Sequence, residues 1–399
     1  MRRHRARSAL DAAIRSHRVV VLCGLPCTGR SRLLAQWCDE RDDAQRVERL
    51  SGSVKHAAPI RVIDHFESAQ VDGFVEQFRD LDRQGEEARF VVAPIDLATT
   101  RALQRRLTSA VGLVHLAPLQ AEDYVAERLE MPDPRDPSED LVPQARATNA
   151  PAFDPDVHLL RGGLPNSLDA ESDEVSLVRR RAMIRNLLAH DYSTLNISPG
   201  LRLPDLLRWI ANKQGDELDE GSCTFATKYE LRAALAVFDD LGLTRRLSNH
   251  PEGGMVGLGK KHKVYVRDSG LLNALLGVET VEQLRTPSKA GPCWEGYAIE
   301  SLILAADDKG IPQFYRHDNR EIDLVLDFRS RGGPVVAIEC KLNPNSQARQ
   351  GFHDAVKAIK ASTGLVVHSG AMSVPEADPP RLHLAAAVQR VKSLVADLP

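Results

Sequence analysis

Four side chains in the last third of the chain have the types and spacing to act on a phosphate ester: Glu295, Asp323, Glu339 and Lys341. The stretch Pro334–Leu342 (PVVAIECKL) reads as a strand, in which alternate residues face opposite ways. Val336, Ile338, Cys340 and Leu342 then make an apolar face, and Glu339 and Lys341 project together from the other. Just upstream, Arg320–Asp327 (REIDLVLD) shows the same pattern, with Ile322, Leu324 and Leu326 on one side and Glu321, Asp323 and Asp327 on the other. A hairpin around Arg329–Gly333 would let Asp323 and Glu339 share one ion. Two carboxylates hold a hard cation such as Mg²⁺ against a scissile phosphate. A neighbouring ammonium polarises the attacking water or steadies developing charge, which suits the compact charge of lysine. Glu295 aligns with Ile299 and Leu302 at helical spacing, so its carboxylate lies on a buried stripe and needs a partner. Glu300 falls on another face and is expected in solvent. Asp323, Glu339, Lys341 and Glu295 are the expected catalytic residues, and Asp323, Glu339 and Glu295 the expected metal ligands. The alternative is an exposed strand face carrying charge pairs.

The elements around these residues come in a definite order. From Trp294 the chain reads helix, strand (Gln313–Arg316), strand (Glu321–Phe328), strand (Pro334–Leu342), helix (Gln350–Lys360) and strand (Gly364–Val367). This is an αβββαβ sequence of elements.

A second group of residues could hold phosphate. The apolar strand RVVVLC runs into Gly24-Leu-Pro-Cys-Thr-Gly29-Arg30-Ser31 and then into the helical stretch RLLAQWC. In such a loop the backbone amides and the helix N-terminus converge on phosphate oxygens. Gly24 and Gly29 bound the loop, and Ser31 could place its hydroxyl on Mg²⁺. Asp64 ends the buried strand Ile60–Asp64, where a P-loop NTPase keeps a Mg²⁺-coordinating acid. Gly24, Gly29, Arg30, Ser31 and Asp64 are therefore the expected nucleotide-binding residues. Arg30 stands where the pattern calls for lysine, and its planar fork hydrogen-bonds differently. His65 stands where a catalytic glutamate would follow. Both substitutions point to weak or lost ATP hydrolysis. The plain alternative is a glycine-containing turn between strand and helix.

Between these regions, Thr224–Gly242 reads as one amphipathic helix, with Leu231, Leu235 and Phe238 at helical spacing and Gly242 as its stop. LTRRL, a turn at Asn249–Gly254 and the strand-like HKVYVRD follow, which is the profile of a winged helix. Arg245, Arg246, Lys260, Lys261 and Lys263 surround the expected wing, either to meet DNA phosphates or as a solvated hairpin.

The chain has 399 residues, 43% of them hydrophobic, and a net charge of −3, so nucleic-acid binding must come from local basic patches. Six cysteines show neither a CxxC pair nor zinc-finger spacing, which suits reduced, buried thiols in a cytoplasmic protein. No run of about 18 apolar residues suggests a membrane span. Four arginines in the first seven residues read as a solvated tail. The expected organisation is α/β and multi-domain. A P-loop NTPase-like parallel sheet covers 1–130, and a Pro/Asp-rich irregular connection covers 131–175. A helical and winged-helix region covers 176–275, and an αβββαβ core covers 285–399.

The whole resembles bacterial and archaeal AAA+-type ATP-binding proteins that carry a winged helix and a C-terminal restriction-endonuclease-like, PD-(D/E)xK domain of unknown function. The resemblance rests on the Gly24–Ser31 loop, Ala117-Pro-Leu-Gln-Ala-Glu-Asp-Tyr and Arg161-Gly-Gly-Leu-Pro. It continues through Lys263-Val-Tyr-Val-Arg-Asp-Ser-Gly-Leu-Leu, Trp294-Glu295, Arg320-Glu-Ile-Asp323 and Ile338-Glu-Cys-Lys341. It implies a nucleotide such as ATP, Mg²⁺ and DNA phosphodiesters as ligands. The chain departs from the family at Arg30, at His65 and at Ala93-Pro-Ile-Asp, all within the ATPase region. The four endonuclease-like positions match.

Overall fold

The computed structural model describes residues 3–47, 59–121, 123, 154–189, 195, 197–198, 200–253 and 262–399. Its N-terminal layer is a sheet of five parallel strands, β1 (Val19–Cys23), β2 (Ala44–Arg46), β3 (Ile60–Phe66), β4 (Arg89–Pro94) and β5 (Val111–His115). The spatial order is β2-β3-β4-β1-β5. The inner strands are apolar on both faces because helices cover both. Val20 and Leu22 meet Leu33, Leu34 and Trp37 on one side. Val19 and Val21 share the other with Phe74, Phe78, Phe90 and Leu103. With a glycine-bounded loop leaving β1, this is the P-loop NTPase-like arrangement expected from the sequence.

The basic N-terminus is not a solvated tail. Helix α1 (His4–Ser16) buries Leu10 and Ile14 against the sheet. The buried Arg3 guanidinium donates to Thr28 O and Ala117 O, both at 2.6 Å.

Much of the proline-rich stretch lies outside the described residues, but its last part is helical rather than irregular. Pro155 opens the helix Pro155–Arg161 and Pro165 opens Pro165–Leu168. A first-turn proline gives up only an amide that has no helical partner, so these prolines start helices instead of blocking them.

The helices Asp173–Leu188, Leu203–Ala211 and Lys228–Asp240 follow. Thr227 caps the last of these reciprocally with Glu230, and Leu231, Leu235 and Phe238 are buried as expected. The hairpin of β6 (Thr244–Asn249) and β7 (His262–Val266) does not stand apart as a wing. β6 pairs in parallel with β8 (Ile311–His317), so the hairpin extends the C-terminal sheet. That sheet continues through β9 (Arg320–Asp327), β10 (Val335–Lys341), β11 (Thr363–His368) and β12 (Arg381–His383), in the order β12-β11-β10-β9-β8-β6-β7. The helix Pro287–Ala305 covers one face and Gln350–Ala358 the other. The expected αβββαβ order of elements is present.

Side-chain alternation holds along β10 but slips along β9. Val336, Ile338 and Cys340 share one apolar layer with Leu324 and Leu326, whereas Ile322 lies in the other. The β8–β9 register shifts between Gln313 and Tyr315, and a bulge re-aims the side chains beside it. Leu342 lies past the end of β10 and is exposed.

Candidate functional site

Asp323 sits on β9 where its ladder with β10 ends at Ile338 and Leu324. Its Oδ2 accepts the Cys340 amide at 2.8 Å, taking the place of a backbone partner. Glu339 and Lys341, two residues apart on β10, form a contact ion pair. Glu295 projects from the helix Pro287–Ala305 and accepts the Tyr265 hydroxyl at 2.8 Å. Gly215 faces it closely, since a Cβ there would lie 3.1 Å from Glu295 Oε1.

At the centre is a group the sequence reading assigned to the wing. The Lys263 Nζ lies 2.9 Å from Glu321 Oε1, 3.6 Å from Asp323 Oδ1 and 3.8 Å from Glu295 Oε1. Its side chain is 4% exposed. Lys263 stands on β7, three strands along the sheet from β9, and its long side chain meets the β9 carboxylates across β6 and β8. Lys263 and Tyr265 stand on one face of β7, and that alternation is the local signal that could have paired them. Which carboxylates that face meets depends on the order of the strands.

Burial first, and then the Asp323 carboxylate, push Glu295 up to about 7 and Glu339 up to about 7. Burial pulls Lys263 down, but Glu295, Asp323 and Glu321 outweigh it and raise the ammonium above its ordinary range. The expected residues are thus brought together, with Glu321, Tyr265 and Lys263 added. Among the described residues, no three His, Cys, Asp or Glu side chains are grouped so that they could hold a metal ion. As placed, the carboxylates surround an ammonium, and a divalent cation does not fit beside it.

The other expected charges have partners of their own. Glu300 is buried rather than solvated, gripped by Arg245 and Arg267 at 2.7 Å each. Burial alone would raise its pKa, but the two guanidiniums hold it down at about 2. Arg246 pairs with Asp239 at 2.6 Å. Neither Arg245 nor Arg246 is therefore an idle phosphate contact. Lys260 and Lys261 lie outside the described residues.

The glycine-bounded loop after β1 has a backbone in the left-handed region at several positions. Gly24 has φ +146°, Cys27 +63° and Gly29 +89°. A Cβ on Gly24 would lie 2.4 Å from Leu116 O, so only glycine fits there. Helix α2 (Arg30–Asp39) begins with no side chain capping its first amides, and Ser31 stands in that first turn. Arg30 is mostly buried, and its Nη1 donates to Pro94 O at 2.7 Å. Asp64 is 10% exposed, 3.7 Å from Arg46 Nη2, and its Oδ1 accepts the His65 amide. Cys27, Arg30 and Asp96 line a cleft of about 240 Å³. Its far wall is made by Met183, Leu187 and Asp240 of the following helices. Among the described residues no helix is long and apolar enough to cross a membrane.

Two family models without an assigned role match parts of the chain. Residues 154–282 match a domain of unknown function, DUF8612, and residues 290–386 match another, DUF4143. The chain is 26% identical over 225 residues to the uncharacterized proteins Mb2031c of Mycobacterium bovis and Rv2008c of Mycobacterium tuberculosis. In each case 55% of this chain is covered, and the chain spans half the length of these relatives. A Walker-type ATPase, PABY2304 of Pyrococcus abyssi, overlays with a TM-score of 0.43 at 12% identity. That overlay covers 69% of this chain and 95% of the archaeal one.

Proposed function

We propose that this protein is a nucleotide-sensing scaffold, in which the Gly24–Ser31 loop takes the phosphates of an ATP-type nucleotide with little or no turnover. The observation that carries this reading is the shared cleft. The loop and Arg30 form one wall, and helices that pack on the C-terminal half form the other. Loop amides and a helix N-terminus are a ready anion site. Arg30 adds charge but is tied to Pro94 O, and His65 supplies no carboxylate to activate water. Small-molecule sites commonly measure roughly 300–1,000 Å³. A cleft of about 240 Å³ admits phosphates, and the base and sugar then require the walls to part. Calorimetry with ATP and Mg²⁺ is expected to show saturable binding that Arg30→Ala weakens, without phosphate release above background. Absence of binding, or steady turnover, would overturn this reading.

A second reading is cleavage of DNA phosphodiesters by a restriction-endonuclease-like core. The convergence of Glu295, Asp323, Glu339 and Lys341 favours it. It requires a divalent ion to displace the Lys263 ammonium first, and then expects metal-dependent cutting that Asp323→Ala and Lys341→Ala abolish in folded protein. Intact single- and double-stranded DNA after incubation with Mg²⁺ or Mn²⁺ would dispose of it.

A further inference from the structure

The carboxylate cluster already contains a cation. Hard divalent ions draw carboxylate oxygens in to roughly 2.0–2.6 Å. Here the centre is Lys263 Nζ, with oxygens of three carboxylates at 2.9, 3.6 and 3.8 Å, which are the distances of an ammonium among ion-pair partners. The lysine is not a stray surface group. Its side chain is 4% exposed, its Nζ lies 5.7 Å from the centre of the Phe314 ring, and its strand bridges to Glu217. Asp323 spends its other oxygen on the Cys340 amide, and Glu339 spends one on Lys341. Both Asp323 oxygens and one oxygen each of Glu295, Glu321 and Glu339 are therefore already engaged by protein donors.

We propose that the Lys263 ammonium is the resident cation of this cluster, holding Glu295, Glu321 and Asp323 together in the position a divalent ion would otherwise take. The C-terminal half then folds without metal, and any divalent ion must first displace the ammonium. This goes beyond the nucleotide reading, which stands or falls at the other end of the molecule. Displacement has a cost in both directions. The incoming ion meets a fixed positive charge, and the expelled ammonium leaves a buried position for water.

The test titrates Mn²⁺ into the full-length chain, following free Mn²⁺ by electron paramagnetic resonance and unfolding by a thermal scan. Wild type is expected to show no melting shift on Mn²⁺ addition. Lys263→Met should melt lower than wild type without metal, because it leaves the carboxylates unneutralised. It should bind Mn²⁺ at least about thirtyfold more tightly, the floor set by removing a unit charge about 4 Å from a divalent ion even at the dielectric constant of water. Mn²⁺ should also restore its lost melting temperature, and Lys263→Arg should behave as wild type. Equal Mn²⁺ binding by wild type and Lys263→Met would overturn the proposal. So would a Mn²⁺ site in wild type that Asp323→Asn removes, a measurement that needs no change at Lys263. If Lys263→Met does not fold, Lys263→Met with Glu321→Gln restores the charge balance and is held to the same two outcomes.

Discussion

Burial sets the protonation of Glu295 and Glu339, and with it the pH response of the C-terminal half. Both carboxyls are pushed from an ordinary value near 4.5 up to about 7. Between those values the folded chain holds protons that the unfolded chain has released. The stability this contributes is complete below about 4.5 and is lost as pH rises through about 7. Glu295→Gln cannot ionise but can still accept from Tyr265. It is expected to melt higher than wild type at pH 8 and to gain little at pH 5, as followed by thermal scans across pH. Equal gains at both would refute this account. Glu300 has the opposite sign. Held at about 2 by Arg245 and Arg267, it contributes stability above about 4.5 that is lost as pH falls through about 2. Glu300→Ala leaves two largely covered guanidiniums facing each other without their shared carboxylate and should cost roughly 3–5 kcal/mol in urea denaturation.

Single elements show where local chemistry decides structure. The helix Lys228–Asp240 starts at Thr227 because its hydroxyl takes the Glu230 amide while Glu230 returns to the Thr227 amide. Thr227→Ala is expected to cost about 1 kcal/mol, measured by denaturant unfolding, and Thr227→Ser should retain most of it. Asp323 shows a side chain ending a ladder. By accepting the Cys340 amide it opens β9 from β10 at the point where Glu339 and Lys341 project. An Asp323→Ala variant loses this acceptor, so hydrogen exchange at Cys340 should quicken even in an assay that ignores chemistry.

The phosphate loop and the carboxylate cluster are joined through the helical region and the hairpin of β6 and β7. The helix Lys228–Asp240 ends at the cleft, where Asp240 pairs with Arg101 at 2.6 Å, and leads directly into β6. β7, paired to β6, then carries Lys263 into the cluster. Nucleotide entering a cleft of about 240 Å³ has to move Met183, Leu187 or Asp240. Hydrogen exchange with and without ATP should therefore change at Asn186–Leu187 and Asp240–Leu241 as well as at the loop. Protection confined to Gly24–Ser31 would show that the two halves are not coupled.

What the sequence determined by itself was everything governed by neighbours along the chain. The apolar parallel strands, the glycine-bounded loop before Arg30, the capped helix before β6 and the shared projection of Glu339 and Lys341 are all of this kind. Each follows from a pleat, a helical period or a φ angle acting over a few residues. The tertiary structure alone decided where charges end up. Lys263 and Arg245 read as wing cations, and Glu300 as solvated, because strand and helix periodicity carry no information about which layer will cover them. The joining of the β6–β7 hairpin to β8 sets β7 in one sheet with β9. That places one ammonium among three carboxylates from other elements.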